Sequence, residues 1–403
     1  MKTKDINKMN IVHINLSSPF MDNSGYQEAM LAKCHKIICN NVTIINNNQV
    51  LHDDGSVTLC EPSEYFNYDG VKIIRMRLYD SKARRHIDIN GLYSILCNEK
   101  PDFIMIHEVF LFDVYAVAKY YKMKNKHCII VADSHATIDN ANIMDQNLKN
   151  IFFRTLLKVF NRYMSKYYSK VYGIVDDAVD LMVKYAGIPR NKTAVLGLGF
   201  DETLIDFDNQ DKIRKSTRQH YDIPQNVRLF VHGGKLNEAK KTDAIISAML
   251  EMPADVWLVV FGEYSSDSYK IENESIAKKL NGRVVFTGQL DQKEIYDVFL
   301  SSDVAIFPGS SSCLRQQAAA TGLPIVICNN KADKGININI NGNAYVLDEK
   351  WKESELVSAM KSILNDDIYH AKARELCCGY YKQFSYMRQA KSLIVDNMSH
   401  VND

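Results

Sequence analysis

Two lysines follow a glycine pair in the stretch GGKLNEAKK. Gly233 and Gly234 let the chain leave a strand in a tight turn, and Lys235 and Lys240 converge if the residues between them fold back as a loop. Two ammonium groups beside a glycine turn suit a diphosphate. Solvation at the surface is the ordinary fate of a lysine, and the spacing alone leaves both readings open. In SSPFMDNSGYQEAM, Gly25 lies just before a helix that starts near Glu28. Backbone N–H groups and the helix dipole there receive an anion, while Asn23 or Ser24 equally well reads as a simple helix cap.

A third stretch, CIIVADSHATIDNA, ends a strand in Asp133 and His135. A histidine at a strand end binds a substrate hydroxyl or acts as a base, with Asp133 orienting it. His107, at the end of FIMIH, competes for that role, and a purely structural histidine fits either place. A fourth, FPGSSSCLRQQAAATGLP, offers Ser310, Ser311, Ser312, Gln316 and Gln317: hydroxyls and amides, but no carboxylate.

Arg154, Lys158, Arg162, Lys166 and Lys170 recur every four residues in a segment, Leu148 to Lys170, that holds no acid. Phe152, Phe153, Leu156, Leu157, Phe160, Tyr163, Met164 and Tyr167 are interleaved. The spacing predicts one long helix with a slanting basic stripe beside an aromatic one. Such a helix lies on anionic lipid head groups, or else is a solvated face over a normal core face.

These residues need elements to hold them. Apolar, β-branched runs at Asn10 to Leu16, Val42 to Ile45, Val71 to Arg77, Phe103 to His107, Cys128 to Asp133 and Thr193 to Leu196 alternate with helical patterns at Glu28 to Cys39, Asp113 to Tyr121 and Asp176 to Tyr185. The pattern restarts with RLFVHGG, VWLVVFG, VVFTG, VAIFPG and PIVIC. Buried strands separated by helices indicate parallel sheets covered on both faces. The predicted fold class is α/β with two Rossmann-like doubly wound domains facing across a cleft, where open α/β sheets bind ligands. The polar stretch between Gly199 and Gln225 marks the junction; we place the domains at residues 1–205 and 206–384.

The 403-residue length is too great for one ordinary core, and 46% hydrophobic with 24% charged residues excludes disordered and fibrous classes. A net charge of +1 argues against nucleic acid as the main partner. The nine cysteines show neither Cys-x-x-Cys nor zinc spacing, so they read as reduced, mostly buried residues of a cytosolic protein. The N-terminus reads as a polar lead and a first strand, not a signal peptide, and no window approaches a membrane span. No Walker loop, Ser/His/Asp elbow or GxGxxG after the first strand appears.

In this order the motifs resemble the GT-B retaining glycosyltransferases of family 4, the "group 1" sugar transferases. The resemblance runs over nearly the whole chain. It includes LGLGFD at the domain crossover, GGKLNEAKK where the family has Gly-Arg-Leu and then Lys-Gly, AAATGLPIV in the closing stretch, and FSYMRQAK in a C-terminal helix that returns to the first domain over about 385–403. The resemblance implies that Lys235 and Lys240 bind the donor diphosphate, with Gly25 and Gly234 near the same phosphates and His135 touching the transferred sugar. The departure lies in the family's Glu-x7-Glu motif. Counting back from Gly322 and Pro324 puts its second acid on Gln317 and its first on Gly309. An amide at Gln317 or Gln316 still accepts from a ribose hydroxyl, about 1 kcal/mol more weakly than a carboxylate, and Ser310, Ser311 and Ser312 are candidates for a rebuilt sugar site.

The resemblance implies transfer with retention from a nucleotide sugar to a glycan or lipid-linked acceptor, in bacterial surface polysaccharide assembly. Lys240, Asp133 and His135 are the candidate catalytic residues; no cofactor and no metal is expected. The expected location is cytoplasmic, peripheral on the inner face of the membrane. The missing acids keep open a catalytically silent GT-B protein that binds a sugar nucleotide or a partner enzyme, and a sugar-nucleotide 2-epimerase is a further alternative.

Overall fold

The first sheet is made of Asn10–Asn15 (β1), Asn41–Asn47 (β2), Ser63–Phe66 (β3), Lys72–Met76 (β4), Phe103–His107 (β5), Ile129–Ser134 (β6), Lys170–Gly173 (β7) and Thr193–Val195 (β8). The second is made of Arg228–Gly233 (β9), Val256–Phe261 (β10), Val284–Gly288 (β11), Val304–Phe307 (β12), Ile325–Cys328 (β13) and Ala344–Leu347 (β14). The structure is a computed structural model and describes residues 5–52, 56–81, 84–109, 112–138, 148–310, 312–329 and 338–398. Sheet one runs β8-β7-β6-β5-β1-β2-β4-β3 and is parallel except for β3, which is antiparallel to β4. Sheet two runs β11-β10-β9-β12-β13-β14 and is parallel throughout. The protein is thus α/β, with two Rossmann-like doubly wound units.

The helices are Gln27–Ile38 (α1), Ile89–Glu99 (α2), Phe112–Lys124 (α3), Leu148–Met164 (α4), Asp176–Lys184 (α5), Gln210–His220 (α6), Thr242–Ala248 (α7), Asp267–Ala277 (α8), Gln292–Ser301 (α9), Leu314–Ala320 (α10), Glu353–Asn365 (α11), Asp367–Cys378 (α12) and Tyr386–Met398 (α13). They cover both faces of each sheet, which is why β5 and β6 are buried at every residue. Alternate residues serve opposite layers. Ile104, Ile106, Ile130 and Ala132 join a cluster with Val114 and Ala118 of α3. Ile11, Met105 and Val131 point the other way, to Leu31 of α1 and Leu393 and Ile394 of α13.

Residues 1–197 and 386–403 form one unit and residues 198–385 the other. The chain joins the second unit at Leu198, a few residues before the junction expected from sequence, because Phe200 is already buried in the second unit's core. Phe200 N also donates to Phe384 O at 3.3 Å, so the outgoing and returning segments run side by side there.

Two antiparallel hairpins, Gln49–Leu51 with Val57–Leu59 and Leu78–Ser81 with Arg84–Ile87, have no counterpart in the expected strands, nor do β3, β7 and β14. The helix predicted over Leu148 to Lys170 ends at Met164, and Lys170 begins β7. The cause is Tyr168, buried to 2%, whose hydroxyl donates to Asn161 O and turns the chain under the helix end. Cys34, Cys39, Cys128, Cys328 and Cys377 are buried.

In each sheet the chain reverses its direction of winding at one place, between β1 and β5 and between β9 and β12. Ligands of open α/β sheets bind beyond the carboxyl ends of strands at such switch points. Asn15 and His107 end strands at the first point, and Gly233 and Phe307 at the second.

Candidate active site

In the second unit the glycine turn after β9 leaves no room for side chains. A Cβ on Gly233 would meet the Phe261 ring at 2.5 Å. Gly234 sits at φ +114, a region that disfavours L side chains, and its Cβ would lie 3.0 Å from Leu314 Cδ1 and 4.0 Å from Ser312 Oγ. The turn after β9 therefore touches the loop after β12. Lys235 leaves this turn exposed. The next residues form a short turn, Glu238–Lys240, and Lys241 takes φ 63, the left-handed conformation, where the resembled element carries glycine.

That lysine turn is stitched to the second loop at two points. Lys240 Nζ donates to Ser310 O at 3.0 Å, and Ser310 N donates to Ala239 O at 2.8 Å. His232 anchors it from behind, with Nδ1–H on Ile306 O at 2.8 Å and Nε2 accepting from Thr242 Oγ1 at 3.0 Å. Burial, followed by the Lys240 charge, lowers the His232 pKa to about 4 against the pull of the Ile306 bond. The imidazole is neutral at pH 7, as an acceptor at Nε2 must be.

Gly309, the position counted for the first missing acid, is closed to any side chain. Its Cβ would lie 2.3 Å from Ala239 O and 2.6 Å from Lys240 C and O. The lysine turn thus fills the place a glutamate would occupy. The following loop is held by residues that the sequence reading passed over. Arg315, 1% exposed, donates from Nη2 to Phe307 O at 3.1 Å and Gly309 O at 2.5 Å. Trp351 Nε1 donates to Pro308 O at 3.0 Å. Three successive main-chain carbonyls, from the last residue of β12 onward, therefore have fixed directions.

Gln316 and Gln317 are each 3% exposed. Gln316 Nε2 and Gln317 Oε1 have no hydrogen-bond partner among the described residues. An orphaned buried polar atom costs about 1–3 kcal/mol, so one donor and one acceptor on α10 are left uncompensated among the described residues. Of the serines, Ser310 takes part through its backbone, Ser312 Oγ accepts from Leu314 N at 3.3 Å and is a local cap, and Ser311 lies outside the described residues.

In the first unit, α1 starts at Gln27 with Tyr26 as N-cap and no side-chain cap, so Asn23 and Ser24 do not play the capping role considered above. Asn23 takes φ 57 in the loop. Gly25 is half-buried, and its neighbour Ser24, 8% exposed, leaves Oγ without a partner among the described residues.

Asp133 serves a residue other than the one expected. Its Oδ2 accepts from His107 Nδ1 at 2.8 Å and its Oδ1 from Glu108 N at 3.3 Å. It is His107, 2% exposed, that Asp133 orients, and the expected Asp133–His135 bond is not made. The reason is the β5–β6 register, which sets Asp133 directly across from His107. His135 is half-buried beyond the strand, with Nε2 unpartnered among the described residues. Burial pushes the Asp133 pKa up, but the charge and hydrogen bond of His107, with His135 and the Glu108 amide, hold it below the usual carboxylate value.

Residues 213–376, most of the second unit, match the family described as glycosyl transferases group 1. The match lies wholly within the second unit and covers less than half of the chain. A D-inositol 3-phosphate glycosyltransferase of Corynebacterium aurimucosum is 24% identical over 226 residues, 53% of this chain and 52% of that protein. One from Xylanimonas cellulosilytica is 24% identical over 38% of each chain. The chain thus matches about half the length of these curated relatives or less. A solved glycosyltransferase from Rickettsia africae aligns with 98% of this chain and 99% of its own, at 15% identity and a TM-score of 0.69. Anabaena Alr3699/HepE in complex with UDP aligns with 97% of this chain and 100% of its own, at 15% identity and a TM-score of 0.67. The fold is GT-B.

In the first unit, α4 splits its residues unexpectedly. Leu157 and Met164 are buried and Phe160 packs against the core, its ring centroid 4.5 Å from that of Phe112 in an edge-on arrangement. Phe152, Leu156, Val159 and Tyr163 point outward at 73%, 52%, 66% and 50% exposure. Steps of four, three and four residues put these on one face, so α4 is apolar on two sides. Lys158, Arg162 and Lys166 are exposed with them, and Lys166 lies 4.3 Å over the Tyr163 ring. Arg154 is half-buried, 6.0 Å over Tyr185. Lys166 and Lys170 fall past the helix end, so the stripe is shorter than predicted. Among the described residues no helix is long and apolar enough to cross a membrane.

Proposed function

We propose that the protein transfers a sugar, with retention, from a nucleoside diphosphate sugar to a glycan or lipid-linked acceptor at a membrane surface, in assembly of a bacterial surface polysaccharide. The observation that carries the reading is the lysine turn at the β9/β12 switch point, stitched to Ser310 beside two buried glutamines with unpaired amide atoms. A diphosphate meets Lys235 and Lys240 there, and the ribose hydroxyls meet Gln316 and Gln317. The UDP in the HepE complex supports a nucleotide donor.

The bond between the anomeric carbon and the diphosphate oxygen breaks while the acceptor oxygen attacks on the same face. The acceptor proton passes to the departing diphosphate, whose growing charge Lys240 stabilises. His135, with its unpaired Nε2, holds a hydroxyl of the transferred sugar. In this reading the lysines carry the neutralisation for which other transferases use a metal.

A thermal-shift panel of nucleoside diphosphates and their sugars tests the donor. One base and sugar are expected to raise the midpoint selectively, and Gln317→Ala to weaken that ligand several-fold, about 1 kcal/mol for one neutral hydrogen bond. Equal affinity in Gln317→Ala and Gln316→Ala would show that the glutamines lie outside the donor site.

The outward face of α4 supports a membrane-bound acceptor. Each basic residue at an anionic surface contributes about 1 kcal/mol, so Arg162→Glu with Lys166→Glu is expected to weaken flotation with anionic vesicles by roughly 30-fold or more. Flotation that is the same with neutral vesicles and with this variant would remove the membrane from the proposal.

A further inference from the structure

A line of buried polar groups crosses the first unit on the α1/α13 side of the sheet. Asp133 Oδ2 meets His107 Nδ1 at 2.8 Å, and His107 Nε2 meets His13 Nδ1 at 2.9 Å. His13 Nε2 meets His35 Nδ1 at 2.9 Å, and His35 Nε2 meets Ala390 O of α13 at 2.9 Å. Asp133, His107, His13 and His35 are all at most 2% exposed. The alternation of the strands explains the line, since His13, His107 and Asp133 share the face of Ile11, Met105 and Val131.

Proton counting decides its state. The line has four contacts, and each needs one hydrogen. Both ends can only accept, because one is a carboxylate and the other a main-chain carbonyl. Three neutral imidazoles bring three hydrogens, so one contact would set two lone pairs against each other among side chains at most 2% exposed. One additional proton fills all four contacts.

We infer that His13, His35 and His107 form a relay carrying one proton more than three neutral imidazoles, held as an imidazolium at His107 against the Asp133 carboxylate, and that this charge positions Asp133 at the carboxyl edge of the sheet. His13 and His35 are then neutral with hydrogen on Nε2. Their surroundings agree: burial, with the neighbouring histidines, pushes His13 well down, and burial lowers His35 to about 4 against the pull of the Ala390 bond. Burial also opposes the charge on His107, but the Asp133 charge and hydrogen bond, then Glu28 of α1, outweigh it and raise its pKa.

The groups facing the pair from other elements are Glu28, Glu108, His135 and the Tyr115 phenol of α3; from α13 the line meets the Ala390 carbonyl. What the charge holds is a strained turn. Glu108, a non-glycine at φ 83, donates its N–H to Asp133 Oδ1, and its carboxylate accepts from Ser134 Oγ at 3.2 Å. His107, His13 and His35 are therefore positioning residues for the strand end that carries His135.

Asp133→Asn tests the relay without dismantling it. The amide nitrogen can donate to His107 Nδ1 while the amide oxygen keeps the Glu108 N–H, so three neutral imidazoles then fill every contact. In the native protein the extra proton stabilises the fold fully below the unfolded histidine value of ~6.5, and this stability is lost as pH rises through the higher folded value. Between about pH 7 and 8 the unfolding equilibrium constant of the native protein is expected to rise by up to tenfold per pH unit more than that of Asp133→Asn. Side-chain ¹⁵N spectra near pH 7.5 should show His107 as an imidazolium in the native protein. Parallel pH slopes in the two proteins, or a neutral His107 in the native spectrum, overturns the relay; the spectrum decides even if the variant does not fold.

Discussion

Lys240→Ala is expected to lower kcat/KM for sugar transfer by on the order of a hundred- to a thousandfold while leaving the fold intact. The ammonium already reaches inward, since one hydrogen goes to Ser310 O and its charge is felt at both His232 and Cys313. A donor diphosphate gains charge as the sugar leaves, so an ammonium fixed beside it is worth more in the transition state than in the ground state. Removing one such fixed donor costs about 3–4 kcal/mol of barrier, whereas the half-exposed bond to Ser310 contributes less than about 1 kcal/mol to stability. The loss should therefore fall mainly on kcat, with the melting temperature nearly unchanged. A fall confined to KM would assign Lys240 to ground-state binding alone. A native protein that binds a sugar nucleotide, yet neither hydrolyses nor transfers it under any condition, would favour the silent reading kept open by the lost carboxylates.

The doubly wound units were legible because β-branched runs and glycine exits repeat at helix-length spacing, and that pattern depends on local sequence alone. GGKLNEAKK showed its lysines for the same reason. Other features rest on register, which a single sequence does not display. Asp133 lies two residues from His135 in sequence but faces His107 across the β5–β6 pairing, so the nearer partner was the wrong one. His13 and His35 carry no motif; they become a relay only when β1, α1 and α13 meet. Arg315 reads as one more polar residue in LRQQAAA, and its burial follows from the turn that brings the Phe307 and Gly309 carbonyls back over α10. The α4 spacing left open a lipid-facing stripe or a core face, and the helix carries an apolar face of each kind: Leu157 and Met164 are buried, while Phe152, Leu156, Val159 and Tyr163 face outward.

Placing acids at the two positions that the Glu-x7-Glu count assigns, Gly309 and Gln317, should give opposite results. Gly309→Glu is expected to destabilise the second unit by about 3 kcal/mol or more and to abolish donor binding. Its Cβ alone would sit 2.3 Å from Ala239 O, and the atoms in the way are main chain, so the lysine turn has to move. Moving it breaks the Ser310–Ala239 and Lys240–Ser310 bonds together, and with them the diphosphate site. Gln317→Glu changes no volume. It exchanges an unpaired amide oxygen for a carboxylate at a site 3% exposed, where desolvation of the charge costs stability in the empty protein. A ribose hydroxyl would return part of that cost, because a charged acceptor holds a donor about 1 kcal/mol more strongly than a neutral one. Gln317→Glu should thus melt lower when empty and bind the donor up to about fivefold more tightly, as thermal shift and titration calorimetry would measure. If Gly309→Glu instead folds normally and gains activity, the lysine turn is not what replaced the first acid. The expected pair of outcomes would mean that main chain closes the first position to an acid, while the second differs from an acid by a side-chain exchange alone.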